Sequence, residues 1–252
     1  MARATAPPRA RAVINRKLAL PSVAGELIKL FDLKTVGRTV RSGYELVSEG
    51  KPCNSVFVIT DGIAIRYRIL RDGQRQILNF LFAGDFAGVT SCRFDNALYS
   101  VKTLTQTSVA ALPMARLLDL FETHPRLAAG LFWSFSTDTA ILAEHLITIG
   151  RRTAAQRVAH LLLELHNRLL HLGLAEARSY RLPLTQEMIS DTLGLSIPYV
   201  NRVLQQLRSD GLVTIRDQVV VIDNMEELAA LADFEHAYLR PLALTDFAAE
   251  PA

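Results

Sequence analysis

Residues 184–222 read LTQEMISDTLGLSIPYVNRVLQQLRSDGLVTIRDQVVVI, and their capping, turn and apolar residues decide the fold of the C-terminal half. Thr185 is a good N-cap for a short helix from Gln186 to Leu193. Gly194 stands where a tight turn between two helices needs positive φ. Ser196 caps a second helix, and Pro198 falls in its first turn, where a missing N–H costs nothing. Val200, Val203, Leu204 and Leu207 share one face of that helix, while Tyr199, Asn201, Arg202, Gln205 and Arg208 lie largely off it. Asp210-Gly211 ends it. Two β-branched runs, Leu212–Ile215 and Val219–Ile222, flank Arg216-Asp217-Gln218 and predict a hairpin.

This order of elements is a winged helix-turn-helix. An α-helix fits the major groove of duplex DNA, and its N-terminal residues reach the base edges. Arg202 can fork onto guanine O6 and N7, and Asn201 carries the donor–acceptor pair that matches adenine or bridges through water. The Ser196 hydroxyl and the helix N-terminus suit a phosphate, and Ile197 or Tyr199 can touch a thymine methyl or a phosphate. The predicted contacts to double-stranded DNA are Gln186, Ser196, Ile197, Pro198, Tyr199, Asn201, Arg202 and Arg208. Helix-Gly-helix patterns are also common in plain cores; the capped second helix, the Asn-Arg pair and the following wing favour DNA. Charge agrees, because residues 151–216 hold nine Arg against five acidic residues and the chain beyond 216 is acidic.

Working outward, residues 35–112 read as all-β. Tyr44–Val47, Ser55–Ile59, Ile63–Leu70 and Gln76–Phe80 are short β-rich runs separated by turn signals, among them Asp61-Gly62 and Asp72-Gly73. Ile63, Ile65 and Tyr67 alternate with Arg66 and Arg68, which are expected on the opposite face. From Met114 the period becomes helical: a short helix over Met114–Glu122, a break at His124-Pro125, then a long helix. That helix carries a stripe of Leu131, Phe135, Thr139, Leu142, Leu146 and Ile149. The stripe could pack on its own chain or form a seam to a second copy; a helix of ~35 Å exceeds what a small roll covers, which favours the seam. Gly150–Thr153 breaks the helix, Thr153 and Gln156 form a capping box for the next, and 172–182 reads as a loose loop.

Of 252 residues, 50% are hydrophobic and 21% charged, so the chain is globular rather than disordered. Arg supplies 23 of the 28 basic residues, which suits phosphate and guanine, though a GC-rich genome also inflates Arg. Two cysteines exclude a disulfide framework and a four-cysteine site. No apolar run reaches the ~18 residues of a membrane helix, and no secretory signal is visible, so a soluble, cytoplasmic protein without membrane contact is expected. With no Walker loop, His-Glu-x-x-His or Gly-x-Ser-x-Gly, no enzyme, metal or cofactor is expected.

Taken together, SVFVITDG, RDGQRQILNFLFAGDFAG, the long helix, RRTAAQRVAHLLLEL and the winged helix-turn-helix resemble the CRP/FNR superfamily of bacterial transcription regulators, and especially its FNR/FixK-like branch. The resemblance implies an α+β fold: a cyclic-nucleotide-binding-like β-roll, a dimerisation helix and a winged helix-turn-helix domain. The expected boundaries are a flexible basic arm at 1–20, the sensor roll at 21–125, the dimerisation helix at 126–150, the DNA-binding domain at 151–225 and an extension at 226–252. It also implies a homodimer on a palindromic operator, with RNA polymerase as a further partner. The effector pocket would fall on Arg75, Gly88, Val89, Thr90, Tyr99 and Ser100. There the sequence departs from the cyclic-AMP-binding members: Val89 stands where a Glu would hold the ribose, and Tyr99-Ser100 where Arg-Ser would hold the phosphate. Cyclic AMP is therefore not the expected effector, and two cysteines are too few for an FNR-type cluster within one chain. His124, His145 and Cys92 are potential haem ligands but read better as structural residues, and Cys92 beside Arg93 is a weak redox candidate. Pro198 replaces the Glu that related recognition helices place near their start, while the Arg matching Arg202 is kept. The alternative is a ligand-binding or protein-interaction module whose winged helix contacts protein.

Overall fold

The computed structural model describes residues 38–239, except the side chains of 91, 92, 118, 120, 126 and 127. The expected basic arm, the start of the sensor roll, the end of the C-terminal extension and the Cys92 thiol thus lie outside the described residues. The chain forms two units, one of residues 38–69 with 78–136 and one of 70–77 with 137–239 among those described.

The first unit is the roll. Its strands are β1 (Arg38–Val40), β2 (Glu45–Val47), β3 (Ser55–Asp61), β4 (Ala64–Ile69), β5 (Arg75–Leu81), β6 (Phe86–Ala87), β7 (Ser100–Thr103) and β8 (Thr107–Pro113). They make two four-stranded sheets, ordered β1-β8-β3-β6 and β2-β7-β4-β5. β3 and β8 run antiparallel with Val58 opposite Ala110. Val56, Val58, Ala110 and Leu112 join Phe86 in one apolar cluster, and Val40, Leu46, Ile59, Leu81 and Val109 belong to a second. Gly62 has φ +90, and a Cβ there would lie 2.6 Å from the Gln106 carbonyl oxygen, so the close strand approach needs glycine.

β4 corrects the expected alternation. Ala64, Ile65, Arg66 and Tyr67 are all buried, so both faces of the strand are covered. Arg66 therefore points into the protein, and only Arg68 reaches solvent, where it pairs with Glu49 at 2.8 Å.

After β8 the expected single helix is divided into a 3-10 turn (Met114–Arg116) and α1 (Leu117–Thr123). α2 then runs from Pro125 to Arg151. Ala128 and Leu131 are buried in the first roll cluster, with Phe135 half-buried against it. Leu131 thus belongs to its own chain's core and leaves the predicted stripe. Among the described residues, the large exposed apolar side chains of α2 are Phe132, Leu142, Leu146 and Ile147.

The second unit is built on α3 (Ala154–His171), whose N-terminus carries the expected Thr153–Gln156 capping box. It is followed by β9 (Ser179–Arg181), α4 (Gln186–Leu193), α5 (Ile197–Ser209), β10 (Val213–Arg216), β11 (Val219–Ile222) and α6 (Met225–Ala232). β9 corrects the expected loop: it pairs with β11, Tyr180 opposite Val220. Three residues are too few to display a strand period, so only the partner strand reveals it.

α3 buries a polar cluster. Arg152 donates to Glu144 Oε1 at 2.7 Å, and His160 Nε2 lies 3.2 Å from the same oxygen. Arg168 reaches Glu164 at 3.3 Å, and the Tyr238 hydroxyl donates to the other Glu164 oxygen at 3.2 Å. Burial, reinforced by the Arg152 charge, depresses His160 to about 4 against the opposing pull of Glu144. Burial raises Glu164, with Arg168 and Tyr238 opposing. No helix of the described residues is long and apolar enough to cross a membrane.

Candidate nucleic-acid interface

The interface begins with α4. Thr185 caps it by accepting from Met188 N–H at 3.1 Å, and Ile189, Thr192 and Leu193 are its buried side. Gly194 closes it in the left-handed region, φ 62 and ψ 38, as the turn requires. Ser196 adopts the extended N-cap conformation for α5, with Pro198 in the first turn, but its hydroxyl makes no capping hydrogen bond. That hydroxyl is available to an outside acceptor.

Val200, Val203 and Leu207 anchor α5, as the apolar spacing predicts. Ile197 and Tyr199 are exposed at 46% and 42%. Pro198, Arg202, Gln205 and Arg208 are exposed too. The Arg202 guanidinium lies 5.6 Å from the centroid of the Tyr199 ring, a cation–π distance that limits its wandering. Asn201, expected to lie largely off the apolar face, is half-buried, and its Nδ2 donates to Gln186 Oε1 at 3.2 Å.

The wing follows. β10 and β11 pair in register, Val213 opposite Ile222 and Arg216 opposite Val219. Asp217 and Gln218 form the two-residue turn with φ of 50 and 64. Arg181 of β9 donates to the Asp217 carbonyl at 3.1 Å and braces the tip. A cleft of about 350 Å³ separates α4, α5 and the wing. Its lining combines apolar Leu184, Ile189, Leu204, Val213 and Ile215 with polar Gln186, Asn201, Gln205 and Arg208. Gln205 was not among the predicted contacts, although its place one helical turn from Asn201 is readable from the spacing.

The basic residues of this region divide by role. Arg151, Arg178, Arg181, Arg202, Arg208 and Arg216 are exposed. Arg152 and Arg168 serve the buried cluster, and Arg157 donates to the carbonyls of Arg152 at 2.8 Å and Leu193 at 3.2 Å. Those three are structural, which a charge count along the sequence does not reveal.

The predicted effector residues fall in both units, Arg75 in the second and Gly88, Val89, Thr90, Tyr99 and Ser100 in the first. Arg75 is a correction: it pairs with Asp191 at 2.6 Å and Glu187 at 3.4 Å, both on α4, and so is committed elsewhere. Ser100 is buried and donates to Glu45 at 3.1 Å while accepting from Glu49 N–H at 3.0 Å, which ties β7 to the β2 side of its sheet. Thr90 and Tyr99 do meet through their hydroxyls. The Arg66 guanidinium lies 5.1 Å from the centroid of the Tyr99 ring and donates to the Phe86 carbonyl at 3.3 Å. Sequence reading missed Arg66 because alternation placed it outside. Val89 packs against the first roll cluster. Among the described residues no group of three or more His, Cys, Asp or Glu could hold a metal ion. His124 bonds Thr123 at 2.7 Å, and His145 is half-buried.

Gly88 has φ +83, and a Cβ there would sit 2.7 Å from the Ser55 carbonyl oxygen and 3.2 Å from Cys53 Sγ. Gly88→Ala is expected to cost about 1–3 kcal/mol, read as a lower urea midpoint with unchanged slope. An unchanged midpoint would show that β3 can yield.

Comparison with known proteins supplies relatives for both units. The profile of the cyclic nucleotide-binding domain matches residues 37–124, and that of the Crp-like helix-turn-helix domain matches 156–231. The nitrogen fixation regulation protein FixK of Bradyrhizobium diazoefficiens is 30% identical over 190 residues, 74% of this chain and 78% of that protein. The transcriptional activator protein anr of Pseudomonas aeruginosa is 28% identical over 215 residues, 85% of this chain and 88% of that protein. Among solved structures, FixK2 from Bradyrhizobium japonicum superposes with a TM-score of 0.69 at 28% identity, covering 77% of this chain and 96% of FixK2.

Proposed function

The chain belongs to the CRP/FNR family of transcription regulators, and from that premise we propose that it reads DNA as a homodimer, without cyclic AMP. Each subunit lays α5 in the major groove over one half of a palindrome, and the bound dimer acts on RNA polymerase. The observation that carries the reading is α5 itself. Its apolar side is buried, while Ile197, Tyr199, Arg202 and Arg208 are turned outward and a braced wing follows.

The homodimer is supported by the outward face of α2. Phe132, Thr139, Leu142 and Leu146 are exposed at heptad spacing, and Phe135 and Ile149 are half-exposed beside them. Control without cyclic AMP is supported by Val89 and Tyr99, and by the buried Arg66 against the Tyr99 ring. A guanidinium stacked on an aromatic ring is a different environment from the Arg-Ser pair that takes a cyclic phosphate.

Selection of bound DNA from a random pool tests the reading, with protein purified in air and no nucleotide added. The expected product is a palindrome with half-site centres about 10–10.5 bp apart. Arg202→Ala is expected to cost about 1–3 kcal/mol at one base position in each half and to relax the preference there. Affinity should fall steeply with salt as counterions are released. A protein that retains no DNA at low salt would instead favour the protein-interaction reading.

A further inference from the structure

On the outward side of α5, Asn201 is tied to another helix: its Nδ2 donates to Oε1 of Gln186, the first residue of α4, at 3.2 Å. Both residues line the cleft between α4, α5 and the wing. A carboxamide has one acceptor oxygen and two donor hydrogens. With one hydrogen engaged by Gln186, the amide plane is held and the edge left over carries Oδ1 and the remaining N–H.

We propose that Gln186 is a positioning residue for base readout: by holding Asn201 Nδ2 it turns Asn201 Oδ1 toward the groove, so that α5 favours a base with a major-groove donor. Adenine is the fuller match, since its N6 donates and its N7 accepts, and cytosine offers the N4 donor alone. The inference rests on α5 being the recognition helix. It also answers the chemistry of Pro198. Proline cannot accept from a base edge, so the acceptor lost near the helix start is supplied by Asn201, one turn further along. Gln186, on this assignment, needs no contact of its own with a base.

The test compares DNA selected by the parent protein, by Gln186→Met and by Gln186→Glu. Met matches the length of Gln but offers no strong acceptor, whereas Glu keeps an acceptor for Asn201. The parent is expected to favour adenine or cytosine at one position of each half-site by about tenfold. Gln186→Met should reduce that preference to about twofold and leave the column governed by Arg202 unchanged. Gln186→Glu should bind more weakly at every sequence, because a carboxylate is added near phosphate, yet recover the preference. A purely structural role for Gln186 would lower affinity without changing any column. The proposal is overturned if Gln186→Met keeps the parent's preference, or if the Asn201 column favours guanine or thymine, which present acceptors. Failure of all three proteins to select DNA would defeat the recognition-helix reading as well, a result distinct from either of those.

Discussion

A Leu146→Asp protein is expected to sediment as a monomer at micromolar concentration and to bind a full palindrome at least about a hundredfold more weakly than the parent. Leu146 is 68% exposed and Phe132 67%, on a helix that buries Ile141 on its far side. In a two-fold interface the same patch meets itself, so one substitution places two carboxylates in the seam. Each loses a leucine whose burial contributes about 1.5–3 kcal/mol. Each must also be desolvated or hold the interface open, at a further cost of several kcal/mol. DNA affinity follows, because a dimer engages its second half-site at the high effective concentration set by the first contact. The monomer should keep the helical content of the parent, since position 146 faces solvent within one chain. A variant that stays dimeric, or a monomer with undiminished operator affinity, would place the seam on some other face.

The outward apolar side of α2 and the outward side of α5 were legible in the sequence for the same reason: each lies on a helix long enough for its period to show. α5 has a Pro in its first turn and apolar residues at Val200, Val203 and Leu207, so its outward side follows by geometry. The stripe of α2 was equally clear, yet Leu131 went to the roll core. Periodicity finds an apolar face without saying which neighbour covers it. The β-roll shows the limit more sharply. Period two assumes one wet face, and β4 has none over Ala64–Tyr67, so Arg66 was assigned to solvent when it is buried. A buried guanidinium needs partners from distant strands and loops, here including the Phe86 carbonyl and the Tyr99 ring, and no local window contains them. Arg75 misled in the opposite direction: family spacing placed it near an effector, whereas Asp191 and Glu187, more than a hundred residues along the chain, hold it. The basic region 151–216 is mixed in its members, because Arg157 and Arg168 are drawn inward to carbonyl and carboxylate oxygens.

Acid is expected to weaken the second unit through His160, and a His160→Phe protein should be largely relieved of that loss. The folded ring titrates at about 4, against 6.5 for the ordinary side chain. Between these values the unfolded chain takes up a proton that the folded chain excludes, so stability falls as pH is lowered from 6.5 toward 4. That depression is worth a few kcal/mol of stability, most of it lost by about pH 4.5. The groups facing His160 are Glu144, His145 and Arg152, with Glu164, Arg168 and Tyr238 in the adjoining part of the cluster. Glu164 acts with the opposite sign: its raised pKa makes protonation easier in the folded chain, so it adds stability as pH falls. The pH profile of the parent alone therefore mixes the two, and the difference between parent and variant isolates the histidine. Phe keeps a ring beside Phe234 and Tyr238 while Glu144 retains its 2.7 Å contact with Arg152. At pH 8 the variant should be less stable by about 1 kcal/mol, for the lost polar contact with Glu144. By pH 4.5 the order should reverse. Amide exchange of the α3 backbone at the two pH values, corrected for intrinsic rates, reads the local stability directly. Parallel losses in both proteins would mean that His160 already carries its proton in the fold, held there by Glu144 in spite of Arg152 and burial.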